Sequence, residues 1–196
     1  MVSTALDDSE YFTEGNHQVF LTGKGNFRFD IAKTATYKGN RKDSAKPIHL
    51  PAIREHMCNK YSAIVSSEEE ADDLIAIEAT SYGKNALVAS IDKDMLQIPC
   101  YHYNLSKRLF SVVGEFQGLK FFYTQILTGD SADNIIGLYK CGPVKAKKLL
   151  LNCNTEIELW DACVDAYDGD KERVIENARL LWLRREVGQI WEPPSA

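Results

Sequence analysis

Apolar positions along the chain follow two different spacings, which predict strands and helices in turn. Three short apolar runs have the length and composition of strands: 17–21, 62–67 and 85–91. Between the second and third runs, residues from about Glu68 to Tyr82 place apolar side chains at helical intervals. Strand, helix and strand in this order predict a βαβ unit, whose two strands run parallel.

The predicted helix near Glu68 has a start signal and a stop signal. Ser66 with Glu69, or Ser67 with Glu70, has the spacing of a capping box, and Gly83 supplies the stop. Helical spacing also characterises five further segments: 50–61, 121–127, 142–151, 155–169 and 171–188. The pattern predicts an α/β core over 1–133 and a helical region over 134–196, packed together as one unit.

The composition is that of a soluble globular protein, with 44% hydrophobic and 26% charged residues among 196. No apolar run reaches the roughly 18 residues that a membrane span requires, and the first residues lack the apolar core of a signal peptide. The five cysteines form no C-x-x-C pair, which favours reduced thiols. These features predict a cytoplasmic protein without a membrane partner.

Charge is segregated along the chain, although the formal net charge is only −5. Basic residues concentrate at 24–46 and 140–148, and acidic residues concentrate at 68–73. Such a distribution suits a polyanion that is held at its edges and a cation that is held between carboxylates.

Three acidic groups have positions typical of metal ligands. They are Glu70, Asp72 and Asp73 at a helix start, Asp92 and Asp94 after the third strand, and Asp130 with Asp133. Converging carboxylates repel one another unless cations lie among them, and ligand sets made only of oxygen suit Mg²⁺ or Mn²⁺. Two such ions can activate a water for phosphodiester hydrolysis. Each group alone also fits a solvated surface, because acidic residues are favoured at helix N-termini without any function.

Four motifs in a fixed order resemble those of the 5′-nuclease superfamily of flap endonucleases and 5′→3′ exonucleases, and in particular its bacteriophage branch. They are "TYKGNRKD" at 36–43, "EEADDLIA" at 69–76, "SIDKDMLQIP" at 90–99 and "LTGDSADNIIG" at 127–137. The resemblance implies a mixed, mostly parallel sheet with flanking helices. It also implies a basic arch over about 24–46, a helix–hairpin–helix element and C-terminal helices.

By position, the resemblance implies that the seven carboxylates named above bind two divalent ions, Mg²⁺ or Mn²⁺. It implies that Lys38 and Arg41 face the attacked phosphate, whose developing negative charge they stabilise. Contacts to the duplex backbone are expected from six further residues: Arg28, Lys42, Gly142, Lys145, Lys147 and Lys148. The family often binds a monovalent cation at the hairpin, where this chain has Lys140 in place of a glycine.

The function implied by the resemblance is that of a metal-dependent, structure-selective 5′ nuclease of DNA replication. Its expected substrates are DNA with 5′ ends, flaps or nicks, and the RNA strand of an RNA–DNA duplex. Two alternatives stay open: a relative that grips branched DNA without efficient cleavage, and a ribonuclease of the related PIN class. The hairpin segment around Gly142 counts against the PIN class. A phage-encoded protein of this kind works in the host cytoplasm.

One element expected from the resemblance is missing at the start of the sequence. Family members usually begin with a buried strand whose aspartate joins the metal site, whereas this chain begins "MVSTALDDSEYFTEGN". Asp7 and Asp8 lie in a polar context, and the window "VFLTGKGNFR" before Asp30 holds no acidic residue. Three explanations are open: a truncation, a second polypeptide that supplies the strand, or a sheet that has closed around the gap. We expect one of the first two, and we expect this chain alone to bind metal weakly and to cut slowly or not at all.

Overall fold

The computed structural model describes residues 17–41 and 46–195. These residues form two compact units: unit 1 contains 17–26 and 46–114, and unit 2 contains 27–41 and 115–195. The division differs from the boundary after Asp133 that the sequence suggested, because residues 27–41 pack with the C-terminal helices. Among the described ranges, no helix is both long and apolar enough to cross a membrane.

Strands and helices alternate through the first half of the described chain, and helices dominate the second half. The strands are β1 (Phe20–Lys24), β2 (Ile64–Ser67), β3 (Leu87–Ser90), β4 (Tyr101–Asn104), β5 (Leu109–Val112), β6 (Gly129–Asp130) and β7 (Ile135–Ile136). The helices are α1 (Arg28–Ile31), α2 (Leu50–Tyr61), α3 (Ala71–Tyr82), α4 (Glu115–Thr128), α5 (Pro143–Leu149), α6 (Glu156–Ala166) and α7 (Lys171–Leu181). Short 3-10 turns cover Gly39–Arg41, Gly83–Asn85 and Lys93–Gln97.

The strands of unit 1 form two small sheets. β1 and β2 run parallel, with Phe20 opposite Ile64 and Lys24 opposite Ser67. β3 runs parallel to β4, and β4 runs antiparallel to β5. The predicted mixed sheet is therefore present in two parts among the described residues, and β2 does not pair with β3 there.

Helix α3 begins with a capping box that differs from both predicted pairs. Glu70 is the N-cap, and its side chain accepts a hydrogen bond from the backbone N–H of Asp73. In return, Asp73 Oδ2 accepts a hydrogen bond from the backbone N–H of Glu70 at 3.2 Å. The box pairs two N–H groups of the helix start, and the Asp73 N–H also donates to the Glu70 carbonyl oxygen at 3.2 Å.

The predicted caps at Ser66 and Ser67 are wrong because strand β2 continues to Ser67, and the helix begins only at Ala71 with Glu70 as its N-cap. The Ser66 hydroxyl serves the neighbouring strand instead. It donates to the Glu69 carbonyl oxygen at 2.6 Å and accepts from the Gly23 N–H at 3.0 Å. A serine hydroxyl that satisfies a strand amide is not available to start a helix.

The core of unit 1 is small and includes a neutral histidine. Ala76, Met95 and Ile98 are at most 1% exposed. His102 on β4 is also buried, and its Nε2 lies 2.8 Å from the Ile98 carbonyl oxygen. Burial lowers the pKa of His102, and the hydrogen bond to Ile98 opposes this shift only in part. His102 is therefore an uncharged core residue at neutral pH.

Unit 2 packs around α4, which contacts α5, α6 and α7. The fully buried Phe122 ring contacts the rings of Trp182 and Trp191, whose centroids lie 4.9 and 5.8 Å away. The helix begins at Glu115, earlier than the predicted start near residue 121. Gly118 weakens the local helical signal, whereas packing against three helices stabilises the whole segment.

Two glycines bring the backbone on either side of the acidic motif into close contact. β6 and β7 pair antiparallel, with Gly129 opposite Ile136. A Cβ atom at Gly137 would lie 2.2 Å from the carbonyl carbon of Thr128, and Gly129 has a φ of +68°. Both positions require glycine, one for space and one for its left-handed backbone as well. Their contact fixes the two ends of the loop between them.

Gly137→Ala should destabilise the protein by about 2–3 kcal/mol, because a methyl group fits there only if the paired backbones move apart. Urea unfolding measures the change in free energy. Gly114→Ala is the matched control, since a Cβ there meets no atom within 4 Å. The control should be neutral or stabilising by less than about 1 kcal/mol. Equal losses from the two substitutions would contradict the close approach at Gly137.

Candidate functional site

Unit 2 places a basic turn, residues 36–41, against an acidic loop, residues 130–134. Hydrogen bonds to backbone oxygens join the two: Lys38 N–H to Asp133 O (2.8 Å), Asn40 Nδ2 to Ser131 O (2.7 Å), Arg41 Nε to Ala132 O (2.9 Å) and Asn134 Nδ2 to Thr36 O (2.9 Å). The side-chain bonds in this set connect positions 91 to 98 residues apart. Tertiary structure therefore brings two of the sequence motifs together.

The Asp133 carboxylate is the centre of this contact. Its Oδ1 lies 2.6 Å from Arg41 Nη2, and its Oδ2 lies 3.7 Å from Lys38 Nζ. The buried Tyr37 hydroxyl donates to Oδ2 at 2.9 Å. Two cations and a phenol are thus the partners of this carboxylate. Tyr37 was not predicted as a site residue, although its place directly before Lys38 in the motif "TYKGNRKD" was the available signal.

Lys38 occupies an unusual backbone conformation. Its φ is +52°, a left-handed value that is costly for a residue with a side chain. The Lys38 N–H bond to the Asp133 carbonyl oxygen holds this conformation, and the ammonium group lies 5.2 Å from the centroid of the Tyr37 ring. In this conformation the Lys38 side chain points toward the acidic loop, with its ammonium 3.7 Å from Asp133 Oδ2.

Asp130 shapes the acidic loop from within. It is buried, and its Oδ1 accepts the backbone N–H groups of Ala132 at 2.7 Å and Asp133 at 3.3 Å. This is an Asx turn, in which an aspartate replaces a backbone acceptor. Asp130 and Asp133 therefore lie in one tight loop, as the i, i+3 spacing predicted.

In unit 1 the predicted ligands Glu70, Asp72 and Asp73 lie at the start of α3. Glu70 is 9% exposed and Asp73 is fully buried, and both take part in the capping box. Asp72 is half-buried in the first turn. The Ala71 N–H donates to Thr22 Oγ1 at 3.0 Å, which ties this helix start to β1.

Asp92 and Asp94, the other predicted ligands of unit 1, follow β3 in a 3-10 turn. Asp92 is exposed, and its Oδ1 accepts the Asp94 N–H at 2.9 Å. Lys93 Nζ lies 3.7 Å from Asp94 Oδ1. The turn places both carboxylates directly after a strand, which agrees with their predicted position at a sheet edge.

In the described structure the seven predicted ligands form three local groups: three at the start of α3, two after β3 and two in the acidic loop. Across 17–41 and 46–195, no three His, Cys, Asp or Glu side chains are close enough to form a metal-binding group. The convergence of all seven carboxylates thus stays a prediction. Their chemistry fits a hard divalent cation, because every donor is a carboxylate oxygen and several are oriented by backbone N–H groups.

Arg28 has a structural role instead of the predicted contact with DNA. Its side chain is only 2% exposed. The guanidinium donates from Nε to the Leu180 carbonyl oxygen at 2.8 Å and from Nη2 to the Trp182 carbonyl oxygen at 2.7 Å. These bonds satisfy the last carbonyl groups of α7, and the buried group is not accessible to a phosphate.

The predicted hairpin residues lie before and along α5. Lys145, Lys147 and Lys148 are exposed, and Gly142 is the N-cap of this seven-residue helix. Lys140 adopts a φ of +54°. The chain thus keeps a left-handed backbone at the position where the family usually has a glycine, even though a lysine occupies it.

Lys42 lies outside the described residues, as do Asp7 and Asp8. The predicted contact of Lys42 with DNA and the expectations about the first strand stay predictions.

Sequence comparison finds relatives named flap endonuclease Xni. The protein from Shewanella oneidensis is 30% identical over 168 residues, covering 79% of this chain and 64% of the relative. The protein from Shewanella sp. strain W3-18-1 is 26% identical over 168 residues, with the same shares covered. The chain therefore spans less than two thirds of the length of these relatives. No protein-family model matches the chain.

Solved structures with a similar fold come from bacteriophage T5. The T5 D15 protein co-crystallised with metal ions superposes with a TM-score of 0.69 at 17% identity, covering 92% of this chain and 80% of that chain. A T5 D15 flap endonuclease complex with DNA and metal ions gives a TM-score of 0.70 at 18% identity, covering 92% and 78%.

The fold is thus the α/β arrangement of a 5′ nuclease, and the predicted fold class is confirmed. Sequence relatives and fold agree: this chain is similar to the flap endonucleases and 5′-exonucleases of the 5′-nuclease superfamily.

Asp133→Asn should lower the free energy of unfolding in EDTA by about 1–2 kcal/mol. The charge-assisted bonds from Arg41 and Tyr37 weaken, and the partial exposure of Arg41 limits the loss. Chemical denaturation measures it without metal. Asp92→Asn is the matched control, because asparagine caps as well as aspartate, and its effect should stay below about 0.5 kcal/mol. If Asp133→Asn has the same free energy of unfolding as the wild type, Asp133 is not central to the contact between the basic turn and the acidic loop.

Proposed function

We propose that this chain is a divalent-metal-dependent, structure-selective 5′ nuclease that hydrolyses phosphodiesters of DNA. Its relatives are named flap endonucleases, and one similar fold was solved as a flap endonuclease complex with DNA and metal ions. The observation that carries the proposal is the placement of Lys38 and Arg41 at the carboxylate loop. Phosphodiester hydrolysis of this kind needs fixed cations near carboxylates that bind metal.

Seven carboxylates would hold the divalent ions: Glu70, Asp72, Asp73, Asp92, Asp94, Asp130 and Asp133. Mg²⁺ and Mn²⁺ suit such oxygen donors, and when bound they supply an activated water and neutralise charge on the leaving oxygen. The buried, N–H-bonded positions of Asp73 and Asp130 support this assignment, since backbone donors hold these carboxylates in fixed orientations.

Lys38 and Arg41 have different roles in the proposal. Arg41 uses Nε and Nη2 to bind Ala132 and Asp133, so its main effect is to hold the acidic loop. The Lys38 ammonium makes a longer contact of 3.7 Å with Asp133 and is the cation that stabilises negative charge on the attacked phosphate.

The substrate in this proposal is DNA with a 5′ end, flap or nick, with an RNA–DNA duplex as a further candidate. Lys145, Lys147 and Lys148 project into solvent from α5 and supply cations for the duplex backbone. Lys42 continues the basic segment next to Arg41 in the sequence. Such contacts position a duplex without reading its sequence.

A second candidate function is binding of branched DNA without efficient cleavage. It is favoured by the existing bonds of the carboxylates, because Glu70 and Asp73 cap a helix and Asp133 pairs with two cations. A nuclease and a binding protein differ in one observable, the metal-dependent release of a labelled 5′ fragment.

Cleavage of a 5′-labelled flap substrate in Mg²⁺ or Mn²⁺, measured beside binding in Ca²⁺ or EDTA, tests the proposal. The wild-type chain should release a labelled 5′ fragment only with metal, and Asp92→Asn should abolish release while leaving DNA affinity within about threefold. Asp161→Asn, an exposed change on α6, is the control and should cut normally. Tight binding without metal-dependent cleavage would favour the second candidate instead.

The exposed lysines of α5 lead to a separate prediction about DNA binding. In the triple variant Lys145→Ala, Lys147→Ala and Lys148→Ala, the slope of log DNA affinity against log salt concentration should fall in magnitude by about 2–3. A matched triple variant at the exposed Lys84, Lys107 and Lys171 keeps the net charge change equal and should leave the slope close to wild type. Identical slopes for the two triple variants would show that α5 does not contact DNA.

A further inference from the structure

Glu176 on α7 is a buried carboxylate with no role in the site as described above. It is 9% exposed. Its Oε1 accepts the backbone N–H groups of Lys33 and Thr34, both at 2.7 Å, and its Oε2 accepts the Thr34 hydroxyl at 2.6 Å. One side chain of the C-terminal helix thus binds two consecutive residues that lie just before the basic turn.

The charge of Glu176 is maintained despite its burial. Burial alone raises the pKa of this carboxyl, but the hydrogen bonds from Thr34 and Lys33 and the charge of Arg173 outweigh it, so the pKa lies below its usual range. Charge-assisted bonds to an ionised acceptor are shorter and stronger than bonds between neutral groups. The three short bonds to residues 33 and 34 are of this kind.

Arg173, one turn earlier on α7, connects Glu176 to the strand that follows the acidic loop. Its Nη1 lies 3.1 Å from Glu176 Oε2 and donates to Asn177 Oδ1 at 2.8 Å, and its Nη2 donates to the Ile136 carbonyl oxygen. Asn177 Nδ2 donates to the same Ile136 oxygen at 3.0 Å. Helix α7 therefore holds Ile136, two residues beyond the acidic loop.

These contacts close a circuit of bonds within unit 2. Glu176 holds residues 33 and 34, which lead into the basic turn at residue 36. The basic turn bonds to the acidic loop, whose last residue, 134, leads to Ile136 and so to Arg173 and Glu176. The basic turn thus has two fixed ends, the acidic loop on one side and the Glu176 carboxylate on the other. Removal of either end is expected to free the strained backbone at Lys38.

We propose that Glu176 is a positioning residue, which holds the basic turn so that Lys38 and Arg41 stay fixed at the Asp133 loop. Its consequence for catalysis rests on the proposed nuclease function. Glu176 acts through the backbone of Lys33 and Thr34 and touches neither metal nor DNA in this role. Its effect on turnover is therefore expected to pass through Lys38.

Three variants separate this role from general stability. Glu176→Ala removes all the bonds to residues 33 and 34, and Glu176→Gln keeps one oxygen that can accept their N–H groups. Tyr167→Phe is the matched control, because the Tyr167 hydroxyl bonds Ile126 O and Asn177 Nδ2 in the same network, away from the basic turn. Thermal unfolding checks that all three are folded at the assay temperature.

Backbone amide exchange in the DNA-free protein gives a test that needs no activity. Glu176→Ala should speed exchange at Lys33, Thr34 and Lys38 by about tenfold or more, because their N–H groups lose a fixed acceptor or a fixed turn. Glu176→Gln should restore part of the protection, and Tyr167→Phe should leave these three amides unchanged. Unchanged exchange at Lys38 in Glu176→Ala would overturn the proposal, whether or not the chain cuts DNA.

A double-mutant cycle on single-turnover cleavage tests the catalytic consequence. Lys38→Ala should slow cleavage by about 10²-fold, as expected for one lost electrostatic contact. Glu176→Ala should slow it by about tenfold in the wild-type background and by less than about twofold in the Lys38→Ala background, with DNA affinity nearly constant. Equal slowing in both backgrounds would overturn the action through Lys38. A wild-type chain that does not cut at all would instead refute the nuclease function, and the exchange data would still decide the positioning role.

Discussion

The ionised carboxylate of Asp133 is the group on which the functional part of unit 2 depends. It is mostly buried, and a buried charge is costly unless it is paired and hydrogen-bonded. Here Arg41, Lys38 and Tyr37 supply that pairing. The same contacts oblige the basic turn to lie on the acidic loop, so one electrostatic requirement places cations and carboxylates next to each other. The strained φ of Lys38 persists because the Asp133 backbone also takes part.

The other predicted metal ligands also have structural roles in the fold. Asp130 closes an Asx turn, Asp92 caps a 3-10 turn, and Glu70 with Asp73 caps α3. Backbone N–H donors fix the direction of each of these carboxylates. A structural role and a metal-binding role are therefore compatible, since a ligand that is already oriented loses little freedom when a cation binds.

The chain also shows how a family motif tolerates substitution where backbone conformation is retained. Lys140 keeps a left-handed φ without being a glycine, and its ammonium lies 5.0 Å from the Tyr139 ring centroid. Gly129 and Gly137 behave differently, because a side chain there collides with backbone atoms. A left-handed conformation costs a lysine about 1–2 kcal/mol, which a fold can tolerate, whereas a backbone collision requires the strands themselves to move.

The sequence by itself determined the α/β class, the order of the motifs and the local positions of the acidic groups. Asp92 and Asp94 follow a strand, and Asp130 and Asp133 share one loop, because spacing within a short segment is a local property. The sequence could not show that Arg28 is buried against Leu180 and Trp182, or that Glu70 starts α3 in place of a serine. It offered no sign of Glu176 as a partner of the site, and its only sign of Tyr37 was the position directly before Lys38. Arg28 and Glu176 bind backbone groups that are distant in sequence, and Tyr37 binds a distant carboxylate. Only the tertiary structure decides which of these groups meet, because each buried polar group has to find a partner.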